Sequence, residues 1–264
     1  MPGTSSKRFD GRIALVTGAA SGIGKATAER LASEGAEILL VDSDADGVER
    51  LRDRLHSLTY PAHTIALDLL DERSIEVVAG DIMGRFPAIH VLVNCAGVVH
   101  INGKQDSNFI EGGIAGWDHL MGVNLKGPAL LVHALLPAII QGRGAIVNVS
   151  SEAAFRSRSN KWIYDITKAG VLSLTRSLAA SLAPYGVRVN SLAPGGTITE
   201  MHLMDYSDPV VAREELKAMK QPNLLARMAE PSEIAAAIAF LASDDASFVT
   251  GTTLAVDGGG NGSR

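Results

Sequence analysis

Cysteine is nearly absent: Cys95 is the only one in 264 residues, so no intrachain disulfide framework holds the fold. Long apolar runs are lacking too, none approaching the roughly 18 residues that a membrane span requires. The opening MPGTSSKRFD leads into no apolar leader-like stretch, hence no sign of a signal peptide. These absences point to a reducing, cytoplasmic home. Positive charge is not in excess, since 24 Lys+Arg against 29 Asp+Glu leave a formal net charge of -5, which gives no support for general nucleic-acid binding. The seven histidines lie scattered, without H-E-x-x-H or a Cys/His cluster, so no metal site is expected. What remains is a small-molecule ligand. Hydrophobic residues, 46% of the chain, suffice for a sizeable core without staples.

Short apolar runs alternate with longer helix-like stretches. RIALVTG, AEILLVD, HTIALDL, HVLVNCAG, GAIVNVSS, VRVNSLAPG and TTLAVDGG carry Val, Ile and Leu on consecutive positions, the pattern of strands buried on both faces of a parallel sheet. Between them GKATAERLASEG, ADGVERLRDRLHSL, DERSIEVVAGDIM, the segment from Trp117 to Gln141, and Ile163 to Pro184 have helical periodicity. The alternation predicts βαβ units: an α/β, doubly wound Rossmann-type fold with a seven-stranded parallel sheet flanked by helices. No linker or internal repeat divides the chain, which therefore reads as one domain over 1–264, with an N-terminal arm at 1–10. The least regular stretches, 98–116 and 195–230, are placed at the carboxyl ends of the strands, the second as a substrate loop or lid.

The first predicted strand runs into TGAASGIG, in which Gly18, Gly22 and Gly24 are spaced G-x-x-x-G-x-G. Such a turn brings backbone N–H groups close to a pyrophosphate at the N-terminus of the next helix, although strand-to-helix turns also use glycine for steric reasons alone. Asp42 closes the second run 18 residues after Gly24, near the spacing at which a carboxylate accepts from an adenosine ribose. A carboxylate there repels a 2′-phosphate, and neither Ser21 nor Ser43 supplies a cation to receive one, so NAD is predicted over NADP. The alternative is that Asp42 caps the helix beginning near Ala45, a task open to Ser43 or Asp44 as well.

YDITK, at 164–168, sets Tyr164 four residues before Lys168, one above the other on a helix face. Tyr164 follows Ser151 by 13 residues, so Ser-x12-Tyr-x3-Lys can gather a hydroxyl, a phenol and an ammonium around one substrate oxygen. A free tyrosine titrates near about 10, and each unit of lowering corresponds to about 1.36 kcal/mol in favour of the phenolate.

Together these segments resemble the short-chain dehydrogenase/reductase family over almost the whole chain. TGAASGIG looks like its cofactor loop, with Gly18, Ser21, Gly22, Ile23 and Gly24 as contacts; Asp68 and Leu69 look like its adenine contact; NCAG, with Asn94, Ala96 and Gly97, looks like its N-N-A-G segment. VNLKG with Asn124 is similar to the helix carrying the family's fourth catalytic residue, and PGGTIT, with Pro194, Gly195, Thr197 and Thr199, looks like its nicotinamide segment. The resemblance implies reversible oxidation of a secondary alcohol by an NAD-dependent enzyme. Tyr164 would exchange the proton, Ser151 steady the substrate oxygen, Lys168 lower the phenol's pKa and hold the nicotinamide ribose, and Asn124 complete a proton path through a water. It also implies a homotetramer or homodimer.

Departures and open readings remain. Cys95 stands where the family often has asparagine, and reads as a small buried hydrophobe rather than a thiol nucleophile. Arg156, Arg158 and Lys161 lie between Ser151 and Tyr164, either to receive a polar or anionic substrate (sugar, polyol or hydroxy acid) or as a solvated loop or subunit contact. Alicyclic alcohols are further candidate substrates. Met201 and His202 are candidates for the pocket wall, and Trp117 and Trp162 for packing. A non-catalytic NAD-binding regulatory module is the competing function, though it has no chemical need for Asn124, Ser151, Tyr164 and Lys168 together.

Overall fold

The computed structural model describes residues 7–101, 104–105, 109–112, 114–156, 158, 160–203 and 208–260. Its first half runs β1 (Ile13–Thr17), α1 (Gly22–Ser33), β2 (Glu37–Asp42), α2 (Ala45–Ser57), β3 (Ala62–Ala66), α3 (Glu72–Arg85) and β4 (Val91–Asn94). A small antiparallel pair follows, β5 (His100–Ile101) and β6 (Lys104–Gln105), then α4 (Phe109–Gly112), α5 (Trp117–Met121), a π-helical turn (Gly122–Lys126), α6 (Gly127–Ala134) and α7 (Leu136–Gly142). The rest comprises β7 (Ala145–Val149), α8 (Trp162–Leu182), β8 (Arg188–Pro194), α9 (Glu200–Leu203), α10 (Pro209–Ala218), α11 (Pro231–Ala242) and β9 (Thr253–Val256).

All seven apolar runs predicted as strands are strands of one sheet, in the order β3-β2-β1-β4-β7-β8-β9, with every pairing parallel. Consecutive apolar residues are needed because each face has its own core. Ala14, Val16, Ile38, Leu40, Val91, Val93 and Val147 pack on one face with α1, α2 and α11. Their neighbours Leu15, Leu39, Val41, Leu92, Ile146 and Val189 pack on the other face with α3, α6, α7 and the end of α8. Each such aliphatic side chain contributes on the order of 2 kcal/mol by leaving water.

The structure departs from the sequence reading in four places. Trp117 to Gln141 is not one helix: it passes through the π turn, and its last part, with Pro137 in its first turn, bends by 66° from the preceding segment. Residues 195–230 are more regular than expected, because Asp208 caps α10 by accepting from Val210 N at 2.8 Å. The helix α11, unanticipated, starts with a capping box between Glu230 and Glu233 and packs on α1. The arm is pinned where it is described: Phe9 is buried in the core and Arg8 donates to Glu34 at 2.6 Å. Parts of 98–116, residues 204–207 and residues 1–6 lie outside the described residues. Among the described residues no single helix is long and apolar enough to cross a membrane.

The order of strands reverses between β1 and β4, and such a reversal opens a crevice at the carboxyl ends. Buried Thr17 holds it in shape, its Oγ1 accepting from Cys95 N and Ala96 N, both at 3.1 Å. Thr17→Val keeps the shape but leaves two N–H groups without their acceptor, each costing about 1–3 kcal/mol. Urea unfolding should show a loss of roughly 2–4 kcal/mol, with Thr17→Ser close to wild type; a Val variant within about 0.5 kcal/mol of wild type would rule this clamp out.

Candidate active site

The wall of the crevice beneath β1 is glycine because nothing larger fits. Gly18 has φ +69°, and a Cβ there would lie 2.8 Å from Ala96 N; at Gly24 a Cβ would run into the Gly18 carbonyl. The turn therefore lies flat against β4 and delivers the chain to α1, whose N-cap Ser21 makes no side-chain cap bond. Gly22 N donates to Glu200 Oε2 at 2.8 Å, a contact between the glycine turn and the start of α9 that the sequence did not announce.

Asp42, at the end of β2, accepts from Ala20 N and Asp44 N, both at 3.0 Å. The capping task goes to Asp44, which accepts from Gly47 N at 2.9 Å. A carboxylate offers about four lone-pair sites, so two remain on Asp42 for hydroxyl donors. Asp42 thus does not cap α2, and it lines the cavity described below.

At the other end, β7 and α8 are stitched together. Ser150 Oγ donates to the Lys168 carbonyl at 2.7 Å, Lys168 Nζ donates to the Val149 carbonyl at 3.0 Å, and Asn148 Nδ2 donates to Thr175 Oγ1 at 2.9 Å. These bonds fix the helix register, and with it Tyr164, whose hydroxyl meets Ser151 by hydrogen bond. Ser151 Oγ also accepts from Ala153 N at 3.1 Å, capping the 3-10 turn Glu152–Phe155. Asn124, in the π turn, accepts from Val98 N at 2.8 Å and donates to the Val98 carbonyl at 2.9 Å. Its Nδ2 also meets Thr167 Oγ1 at 3.2 Å, and Thr167 in turn donates to the Tyr164 carbonyl at 2.7 Å.

Burial governs the titration of this end. It pushes the Tyr164 phenol above its usual range, while the Ser151 hydrogen bond and the Arg158 guanidinium, not the Lys168 ammonium expected from the resemblance, pull it down and Asp165 and Glu152 push it up. It also pushes the Lys168 ammonium down to about 8 and the Cys95 thiol up to about 12. Cys95 is thus a neutral thiol rather than a nucleophile. Arg158 is ion-paired with Asp165, and Arg156 with Glu152.

Both ends open into one cavity of about 530 Å³. It is lined by Gly18, Ser21, Gly22, Ile23, Gly24, Asp42, Asp68, Leu69, Ala96, Gly97, Pro194, Gly195, Thr197 and Thr199, together with Ser151, Tyr164 and Lys168. Of the expected catalytic and cofactor residues, Asn94 and Asn124 do not line it, and neither does Arg156. Asn94 is buried and donates to Asn148 Oδ1 at 2.8 Å, so its side chain ties two strands together. Asn124 lies just behind the wall, its Oδ1 3.3 Å from where a Gly97 Cβ would be. Met201, His202, Arg158 and Lys161 do line the cavity, joined by His119, Val98, Val99 and Val123, which the sequence gave no pattern to select. Trp117 and Trp162 pack on each other at 5.7 Å between ring centroids, away from the cavity. Among the described residues no three of His, Cys, Asp and Glu cluster as metal ligands.

Comparison with known proteins agrees with this geometry. A family model described as Enoyl-(Acyl carrier protein) reductase matches residues 18–261. The chain is 40% identical over 258 residues to cis-4-hydroxycyclohexanecarboxylate dehydrogenase of Sinomonas cyclohexanicum, covering 95% of this chain and 97% of that one. It is 37% identical over 253 residues to D-threitol dehydrogenase of Mycolicibacterium smegmatis, covering 96% and 94% respectively. The crystal structure of levodione reductase superposes with a TM-score of 0.87 at 33% identity, covering 97% of this chain and 100% of that one. The chain therefore belongs to the short-chain dehydrogenase/reductase family, oxidoreductases that use nicotinamide cofactors.

Proposed function

We propose that this protein is an NAD-dependent dehydrogenase that interconverts a secondary alcohol and a ketone, with Tyr164 as acid/base. The observation that carries the reading is the meeting of Ser151, Tyr164 and Lys168 at the edge of β7, in the same cavity that ends at Asp42. The cavity suits a dinucleotide: a glycine turn that admits no Cβ, the N-terminus of α1, and a carboxylate with spare lone pairs. Bound there, the nicotinamide would supply the hydride acceptor or donor.

The chain's own residues would do the rest. Asp42 would accept from the ribose hydroxyls and repel a 2′-phosphate; the lining cations Arg158, Lys161 and Lys168 belong to the Tyr164 end. Ser151 would donate to the substrate oxygen while Tyr164 takes or gives its proton. Lys168, anchored on the Val149 carbonyl, would hold the nicotinamide ribose. Asn124 would be fixed by Val98 and Thr167 on the proton path, and Thr197 and Thr199 would orient the carboxamide. The Tyr164 end mixes apolar Val98, Val99 and Val123 with polar His119, Glu152 and Arg158, which favours a polyol or an alicyclic alcohol bearing a polar substituent. The names of the D-threitol and hydroxycyclohexanecarboxylate relatives support that class. Assembly as a homodimer or homotetramer in the cytoplasm belongs to the same reading, supported by exposed apolar side chains at Ile166, Phe240 and Phe248.

Two measurements test the assignment. On a panel of polyols and alicyclic alcohols, Tyr164→Phe should lower kcat by about 10²–10⁴ while the Kd for NAD stays within about twofold, since general acid–base transfer accounts for a factor of that size. Undiminished turnover in that variant would remove Tyr164 from the chemistry. In steady-state kinetics with both cofactors, NAD should be favoured in kcat/KM, and Asp42→Ala should erase most of the preference. Equal or better efficiency of the wild type with NADP would refute it.

A further inference from the structure

We propose that Arg158 is a positioning residue for the reaction: held by Asp165 beside the Tyr164 ring, it acts as the lasting cation that favours the phenolate. The inference rests on the reading of Tyr164 as acid/base and extends it to a residue outside the Ser-Tyr-Lys set.

The geometry places two cations at almost equal distances from the phenol. Lys168 Nζ is 5.7 Å and Arg158 Cζ 5.8 Å from the Tyr164 ring centroid. They are not equivalent. Lys168 is buried at 4% exposure, and its ammonium is pushed down to about 8, so its charge fades as the pH rises through that value. Arg158 sits on the cavity wall and donates through Nε to Asp165 at 3.2 Å, with its Nη2 also on that carboxylate, and a guanidinium stays charged at any working pH. The pair is thus a fixed support: Asp165, on α8 itself, sets where the guanidinium lies over the neighbouring ring.

The other charged and polar groups around the phenol are accounted for by element. Ser151 and Glu152 come from the 3-10 turn after β7, Arg158 from the loop before α8, and Asp165 and Lys168 from α8. Lys161 and His119 line the same cavity. Asp165 and Glu152 disfavour the phenolate, and Arg158 opposes them. Removing the guanidinium therefore raises the phenol's midpoint, and in alcohol oxidation the acid limb of the rate profile moves to higher pH with it.

The test reads the phenol directly and needs no turnover. Ultraviolet difference titration of phenolate is run on wild type, Arg158→Met, Arg158→Gln and Arg158→Lys, each against its Tyr164→Phe counterpart, with circular dichroism to verify the fold. The Met and Gln variants should titrate about one pH unit higher, the low end of what a single nearby opposite charge produces because Asp165 offsets part of it, and Lys should restore most of the shift. With an alcohol substrate, kcat/KM below the midpoint should fall about tenfold in the Met and Gln variants. Midpoints equal to wild type in every folded neutral variant overturn the proposal. A raised midpoint in a protein that turns over no alcohol supports the hold of Arg158 on the phenol and overturns only the assignment of Tyr164 as proton carrier.

Discussion

The site depends on a buried ammonium that is kept in place by the sheet. Lys168 has no solvent to lean on, and its Nζ is satisfied by the Val149 carbonyl, left over at the end of β7 where the strand stops. The return bond, from Ser150 Oγ to the Lys168 carbonyl, makes the joint two-sided. A charge with so little water must be bonded or shed its proton, and burial pushes its pKa down to about 8. Because α8 is rigid, fixing Lys168 also fixes Tyr164 one turn earlier. Close packing reinforces this: a Cβ on Gly170 would lie 2.8 Å from Leu125 Cδ2, so α8 rests directly on the π turn that carries Asn124.

The same joint explains why polar side chains run through an otherwise aliphatic centre. Asn94, Asn148 and Thr175 form a buried chain from β4 through β7 to α8, with Thr175 Oγ1 ending on the Val171 carbonyl at 2.8 Å. In a medium of low dielectric such a chain is stabilising only if nearly every member is satisfied. Here Asn94 Oδ1 alone lacks a bond. The chain fixes strand and helix register at the point where an error of one residue would turn the phenol away from the cavity.

Legibility in the sequence followed the range of the forces involved. Strands declared themselves because burial on two faces demands runs such as ILLV and AIV, bounded by turn residues, whereas the apolar runs ALLV at 129–132 and IAAAIAFLA at 234–242 are helical. The residues at the Asp42 end of the cavity were legible because backbone close approach has one chemical answer, glycine, and the carboxylate that accepts from Ala20 N closes the next strand. What escaped is tertiary in origin. The role of Asn94 depends on Asn148 lying opposite it across the strand pair, and the bend before α7 depends on where Pro137 falls in a helical period. Arg158 was visible only as one of three cations in a loop. Its distinction from Arg156 lies in its partner, since Glu152 holds Arg156 while Asp165 brings Arg158 over the ring.

The two ends of the cavity are under unequal constraint, and this separates what the fold determines from what it leaves open. The Asp42 end is tied to the strands by the glycine turn, its Ala20 N–H bond to Asp42, and the Thr17 clamp, none of which can vary without disturbing the strands beside it. The other end is built from side chains on short helices and a loop: His119 on α5, Arg158 and Lys161 before α8, Met201 and His202 on α9. These can change without touching either core. Under the proposed function a common reaction with divergent alcohols is the expected outcome of that division, because Ser151, Tyr164 and Lys168 are held by the joint between β7 and α8 while most of this lining is not. In that reading selection among alcohols falls to residues such as His119, Met201 and His202, which no strand of the sheet carries.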